Sequence, residues 1–251
     1  MDELWDRFRA LGSFGRFSGA VLLRLFTTRW PLSEGAHQLW LLATRCALPV
    51  IAVTFPAGMV LALQGLQIFS LFGAQRLLSS LVGVAVFREL APVLASVLVA
   101  AQGGSAFAAE IGAMRIREEL DATEVMGIDP LKVHIVPRVA AALIATPILD
   151  LVGAVSGVLG GWLVAVVFRG ETNGVFWANL WALSKPMDLG GGILKTTVFG
   201  GIIGLVATWK GYFATGGAAG VGRAVNDTVV IAVTSFVIAN YFLTSALYGR
   251  G

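Results

Sequence analysis

The sequence predicts an all-α integral membrane protein: five transmembrane helices preceded by one or two N-terminal interfacial helices. Three observations predict it. The 251 residues are 57% hydrophobic and only 13% charged, about half the charge of an average soluble domain. Mean hydropathy is +0.81. Five apolar stretches reach the roughly 20 residues that a helix needs to cross a bilayer, and none alternates as a strand would. Together these exclude a soluble globule, a disordered chain and a disulfide scaffold. Cys46 is the only cysteine, so no internal disulfide forms; it reads as a small buried hydrophobe with no assigned role.

The first span reads as 46–69. The second is charge-free over 90–109 and extends back through 77–87. The third is 139–168, broken only by Asp150, and the fourth is about 189–209, broken by Lys195. The fifth, 228–248, carries no charge. Residues 1–45 form a separate N-terminal interfacial region, and 46–250 the five-span domain. In the first region Leu4, Trp5, Phe8 and Leu11 fall at helical spacing among Arg7, Arg9 and Arg16, and Phe17, Leu22, Leu25, Phe26 and Trp30 continue with Arg24 and Arg29. This is the pattern of a helix lying in the membrane interface, arginines toward anionic headgroups; an amphipathic helix packed on the protein gives the same pattern. The first residues are acidic and basic, so no cleavable signal peptide is expected.

Basic residues set the orientation. With the N-terminus in the cytoplasm, twelve cations fall inside: Arg7, Arg9, Arg16, Arg24, Arg29, Arg45, Arg115, Arg117, Lys132, Arg138, Lys210 and Arg223. Six fall outside: Arg76, Arg88, Arg169, Lys185, Lys195 and Arg250. The bias places the N-terminus in the cytoplasm and the C-terminus on the far side. Gly153, Gly157 and Gly161 lie four apart, as do Gly200 and Gly204; such ridges let membrane helices approach closely, within one chain or across a dimer.

Several chemistries are missing. Gly190–Thr196 only resembles a phosphate-binding loop, since Leu194 stands where a glycine must precede the lysine. His37 and His134 are the only histidines and no H-E-x-x-H occurs, so no metal site is expected. Ser105 lies outside any G-x-S-x-G and reads as helix packing. The net charge of +3 forms no basic stripe, which argues against nucleic acid.

The segment 110–138 joins the second and third spans. Arg115, Arg117, Glu118, Glu119, Asp121 and Glu124 crowd one expected short helix, with Ile111, Met114, Leu120 and Val125 as its apolar contacts. Gly127 suits its C-terminal cap, and Asp129-Pro130 starts a new turn. A solvated surface helix and a docking element for a soluble partner fit this pattern equally.

Here a resemblance decides. Glu110-Ile111-Gly112-Ala113-Met114, Glu119-Leu120-Asp121-Ala122, Glu124-Val125-Met126-Gly127-Ile128-Asp129-Pro130 and Val136-Pro137-Arg138 resemble the signature of the MlaE/YrbE permease family, the membrane subunits of ABC transporters that work with MCE-domain proteins. Leu63-Gln64-Gly65, Arg88-Glu89-Leu90-Ala91-Pro92 and the pair Asp188 and Lys195 agree. The match covers roughly 45–250. At Gln102 members often carry an arginine, so that arginine's role has no counterpart here. The resemblance implies a non-enzymatic subunit in a homodimer, with ATP bound by a separate ABC ATPase. It also implies a periplasmic MCE-domain partner, a small cytoplasmic STAS-like subunit, inner-membrane location and phospholipid or a related hydrophobic cargo. The 110–138 loop then becomes a cytoplasmic coupling helix, with Arg115, Arg117, Glu118, Glu119, Asp121, Glu124, Met126 and Asp129 as its contacts to the ATPase.

Ionisable groups within a span are costly and usually functional. From Glu89 to Glu110 is roughly 31 Å of helix, which places Arg88 and Glu89 near the periplasmic surface. There Arg88 suits a lipid phosphate; a structural ion pair or snorkelling fits as well. Leu61, Gln64, Ile68 and Phe72 give the first span one mainly apolar face with a single amide, suited to acyl chains or to an ordinary helix contact. With Leu90 they complete the expected substrate site. Asp150 and Lys195 are expected to pair across the third and fourth spans, or one of them to line the path. Two rival readings work without an ATPase: an intramembrane enzyme on lipids, which needs a polar catalytic cluster that the spans do not offer, and an ion-coupled lipid carrier or channel, which needs more intramembrane acids or broken helices than these.

Overall fold

A computed structural model describes the backbone of residues 2–27 and 29–249, with side chains from residue 12 onward in those ranges. The side chains of Leu4, Trp5, Arg7, Phe8, Arg9 and Leu11 lie outside the described residues, as does Arg250. Among the described residues every regular element is helical. A helix over Asp2–Thr27 precedes five helices long and apolar enough to cross a membrane: Leu32–Leu71, Gln75–Ile116, Leu131–Phe168, Pro186–Tyr212 and Gly217–Tyr248. Two short helices join them, Glu119–Val125 between the second and third spans and Asn173–Leu183 between the third and fourth.

The spans are longer than the apolar runs suggest. The first is one unbroken helix from Leu32, through Pro49 and Pro56, so residues 32–45 continue directly into it. The second continues from Gln75 through Phe87 before Arg88, so the ionic residues lie inside a helix rather than at its end. Two wide π-helical stretches, Val86–Leu90 and Val99–Gly104, interrupt it.

The chain forms two compact units. One comprises Met1–Leu42, Val99–Ala145 and Gly200–Phe236. Its core gathers Phe17, Val21, Ile111, Leu120, Ile135, Val136 and Val139. Phe17 and Val21, one turn apart, set the buried face of the N-terminal helix, while the apolar Leu23 and Phe26 lie off that face and are exposed.

The other unit comprises Ala43–Leu98, Thr146–Phe199 and Val237–Gly251. Its core includes Ala62, Leu78, Val82, Val86, Ala91, Ala154, Val158, Phe176 and Leu180. The glycine ridge packs within the chain. Gly153 faces Val50, Thr54 and Ala91, Gly157 faces Val86, and Gly161 faces Val82. A Cβ on Gly58 would overlap the Gly157 carbonyl, so the first and third spans meet backbone to backbone. Lipid gives apolar helices no hydrophobic reason to associate, and close contact of this kind supplies the attraction instead.

Candidate functional site

The second unit holds an ionic cluster that begins at a proline. In an α-helix the carbonyl of Arg88 would accept the N–H of residue 92, but residue 92 is proline and has none. The helix widens at this turn, and the Ala91 N–H reaches back to the Val86 carbonyl. Lys195, from the fourth span, takes up the orphaned group: its ammonium donates to the Arg88 carbonyl at 2.7 Å. It also donates to Glu89 Oε1 at 3.0 Å and to Thr244 Oγ1 at 2.9 Å. An ammonium has three donors, and all three are used here, so a side chain with 0% exposure leaves none of them unsatisfied.

Glu89 is the hub of the cluster. Its Oε1 also accepts the Thr244 hydroxyl at 2.8 Å, and its Oε2 accepts the Asn240 amide at 2.9 Å. Asn240, Thr244 and Tyr248 recur every four residues, so one stripe of the fifth span faces the cluster. Glu89 is still 42% exposed and borders a cavity of 500 Å³ lined by Asn240, Tyr241, Thr244 and Tyr248.

Arg88, the adjacent residue, points elsewhere, as neighbours on a helix must. Its Nε donates to Asp188 Oδ1 at 2.8 Å, and its guanidinium lies 4.5 Å from the centre of the Tyr248 ring. Asp188 is fixed in turn: its Oδ2 accepts the Lys185 N–H at 2.9 Å, capping the fourth span. Among the described residues the two terminal nitrogens of Arg88 have no hydrogen-bond partner, so one edge of the fork is held and the other is open.

The expected pairing of Asp150 with Lys195 does not form, because Glu89 and Thr244 take the ammonium. Asp150 is buried with Oδ1 unpartnered, and its Oδ2 lies 3.5 Å from the Thr196 hydroxyl. Gly192 admits this approach, since a Cβ there would stand 3.2 Å from Oδ2. The first-span face divides. Gln64, Ile68 and Phe72 are exposed, Leu61 is partly buried against the core, and Leu90 is half-buried. The helix ends at Leu71, so Phe72 lies in the turn beyond it. Among the described residues no hydrogen bond joins Gln64 to the ionic cluster. Asp188, Asn240, Thr244 and Tyr248 were not singled out as site residues by the sequence; the four-residue spacing on the fifth span was the available signal.

The first unit holds the 110–138 segment, which is not one helix. The second span ends at Ile116, and Glu118 takes a left-handed conformation, φ 59°. Arg115 and Arg117 therefore precede the loop helix Glu119–Val125 rather than belonging to it. They pair back onto it, Arg115 with Asp121 and Arg117 with Glu119 at 2.8 Å. Leu120 and Thr123 face inward. Gly127 closes the helix with φ 77°: its N–H bonds the Glu124 carbonyl and that of Ile128 bonds the Thr123 carbonyl, the paired closure that a left-handed glycine allows. Asp129 accepts the Leu131 N–H at 3.0 Å and the Arg24 guanidinium at 2.5 Å, capping the third span and fastening the N-terminal helix. Val125, expected as an inward contact, is instead 89% exposed, beside exposed Met126 and Ile128.

Comparison with known proteins adds a lineage. The sequence profile of the family described as Permease MlaE matches residues 36–246. A "Probable ABC transporter permease protein" of Rickettsia felis is 37% identical over 241 residues, 96% of this chain and 93% of that protein. The "Intermembrane phospholipid transport system permease protein MlaE" of Haemophilus influenzae is 33% identical over 250 residues, 99% of this chain and 96% of that protein. The chloroplast protein TRIGALACTOSYLDIACYLGLYCEROL 1 of Arabidopsis thaliana is 30% identical over 231 residues, 92% of this chain and 66% of that protein.

Proposed function

The chain belongs to the MlaE permease family, and on that premise we propose that it is the permease subunit of an inner-membrane ABC transporter for phospholipid. It works as a homodimer, exchanges lipid with a periplasmic MCE-domain partner, and is driven by a separate ATPase, with a small STAS-like subunit on the cytoplasmic side. The N-terminus is cytoplasmic and the C-terminus periplasmic.

The apolar tip Val125–Met126–Ile128 is the observation that carries this reading. A solvated loop has no use for three exposed apolar side chains, whereas a groove on a soluble partner does. The acids around the tip are held by Arg115 and Arg117, and Leu120 anchors the helix beneath it. Arg115, Arg117, Glu118, Glu119, Asp121, Glu124 and Asp129 shape this coupling element, and Met126 enters the ATPase. Asp129 links it to the N-terminal helix through Arg24.

The lipid phosphate is bound by the open edge of Arg88, whose other edge is held by Asp188. Planar guanidinium donors match phosphate oxygens in pairs. Glu89 and Lys195 neutralise each other and hold the second, fourth and fifth spans around the site. Leu61, Gln64, Ile68, Phe72 and Leu90 contact the acyl chains. The fifth span leaves Val230, Val237, Ile238, Tyr241 and Phe242 exposed, a face that a second copy covers. An ion-coupled carrier has one observation in its favour, the unpartnered Oδ1 of Asp150.

The test is a tagged chain extracted in mild detergent, with co-purifying proteins and lipids identified by mass spectrometry. An ATPase, an MCE-domain protein and bound phospholipid are expected. A chain without a nucleotide-binding partner overturns the reading and makes Asp150 the first residue to mutate. In reconstituted liposomes Arg88→Ala and Glu89→Ala reduce lipid transfer while the assembly stays intact.

A further inference from the structure

A second cavity in the same unit, of 590 Å³, shares no residue with the ionic cluster. The end of the first span supplies Leu66, Gln67 and Ser70, the start of the second span Gln75 and Arg76, and the end of the third span and the turn after it Ala165, Arg169, Gly170 and Glu171. The third span stops at a left-handed Gly170, φ 72°, with the Gly170 and Glu171 N–H groups bonded back to Val166 and Ala165. That turn brings Arg169 and Glu171 to one lining. Among the described residues neither Arg76 nor Arg169 has an ion pair or a side-chain hydrogen bond. Burial pushes the Glu171 carboxyl above its ordinary value, and Glu171 is the one acid in the lining.

The depth of the cavity is marked by tryptophan. The indole N–H groups of Trp162 and Trp177 both donate to Asn173 Oδ1, at 2.8 and 3.0 Å, two residues beyond Glu171. Tryptophans so tied sit at headgroup level, where one end of the ring is apolar and the other wet. Phe168, next to Arg169 in the chain, is exposed, and so are Leu71, at the end of the first span, and Phe72 in the turn beyond it. An unpaired pair of guanidinium groups calls for phosphate, and an apolar rim at this depth calls for acyl chains.

We propose that this cavity binds the phosphodiester headgroup of an anionic phospholipid, in the leaflet where the first and third spans end, with Arg76 and Arg169 on the phosphate and acyl chains over Leu71, Phe72 and Phe168. The site needs only a phospholipid bilayer. Its test adds neither ATP nor partner, so its failure leaves the transport reading standing, and a failure of transport leaves the site standing.

The full chain is placed in phosphatidylcholine nanodiscs doped with a phosphatidylglycerol that carries a headgroup diazirine. Labelled peptides are then mapped by mass spectrometry. Labelling is expected on 66–76 and 165–175, and Arg76→Gln with Arg169→Gln lowers it about tenfold, as loss of charge-assisted hydrogen bonds implies. A diacylglycerol probe without phosphate leaves both segments unlabelled. Equal labelling of wild type and double variant overturns the proposal. So does displacement by excess inorganic phosphate, which assigns the site to the free ion, or protection by a co-purifying protein, which assigns it to an acidic partner. Should the double variant fail to fold, the two probes on the wild-type chain still decide: equal labelling by the phosphate-free probe overturns it.

Discussion

The Lys195 ammonium donates to the backbone carbonyl of Arg88 at 2.7 Å, and that carbonyl lacks a helical donor because Pro92 lies four residues on. A helix defect on one span and a buried cation on another thus answer each other. An ammonium without its acceptors, or the carbonyl without its donor, would be an unsatisfied group within the membrane-spanning helices.

Lys195→Met therefore leaves the Arg88 carbonyl and Glu89 short of a donor and costs about 3 kcal/mol. Pro92→Ala restores a helical N–H to that carbonyl and shrinks the penalty by about 1 kcal/mol. The measurement is a double-mutant cycle on thermal unfolding in detergent. Strict additivity of the two changes would show that Pro92 and Lys195 are not coupled through the carbonyl.

Close packing of the first and third spans gives a second expectation. Gly58→Ala drives a methyl into the Gly157 carbonyl, contact with backbone that cannot rotate away, and costs about 2 kcal/mol or more. Gly190→Ala, where a Cβ meets nothing within 4 Å, is neutral or gains up to about 1 kcal/mol from helix propensity. Comparing the melting temperatures of the two variants checks the contrast.

The five spans were legible because bilayer length and apolarity leave few alternatives. The ionic cluster was half legible. Arg88, Glu89 and Lys195 announce themselves as charges in apolar runs, but a threonine and an asparagine in the fifth span read as packing until Glu89 is placed against them. Glu89 and Lys195 are 106 residues apart, and nothing local says that Lys195 prefers Glu89 to Asp150. Val125 was misread for a different reason. Helical periodicity carried through from Ile111 turns it inward, but the left-handed Glu118 breaks the phase, and the new helix counts from Leu120.

That phase break separates anchor from contact surface in the loop helix. Leu120→Ala removes a fully buried side chain and costs about 3 kcal/mol, so amide exchange over 119–135 accelerates. Val125→Ser and Met126→Ser change exchange and melting little, because both side chains are exposed, yet weaken ATPase capture about tenfold or more, as hot-spot residues do. Lysine at Glu119 and Asp121 sets like charges against Arg117 and Arg115 and releases the ATPase as well. Unchanged capture by both serine variants would remove the apolar tip from the interface.

Glu171 supplies the pH test, since it lies between the third and fourth spans. Burial raises its carboxyl above the ordinary value of 4.5. The folded chain then binds the proton more tightly than the unfolded chain does. Stability from this group increases as pH falls through the raised folded-state value, and the ionised carboxylate costs stability above it. Melting temperature in detergent should accordingly rise as pH is lowered toward the ordinary value of 4.5, and Glu171→Gln should flatten the rise and be at least as stable as wild type where the carboxyl is ionised. The charged groups that share its cavity lining are Arg76 and Arg169. A profile unchanged by Glu171→Gln would mean that another group carries the dependence and that the Glu171 carboxyl is solvated.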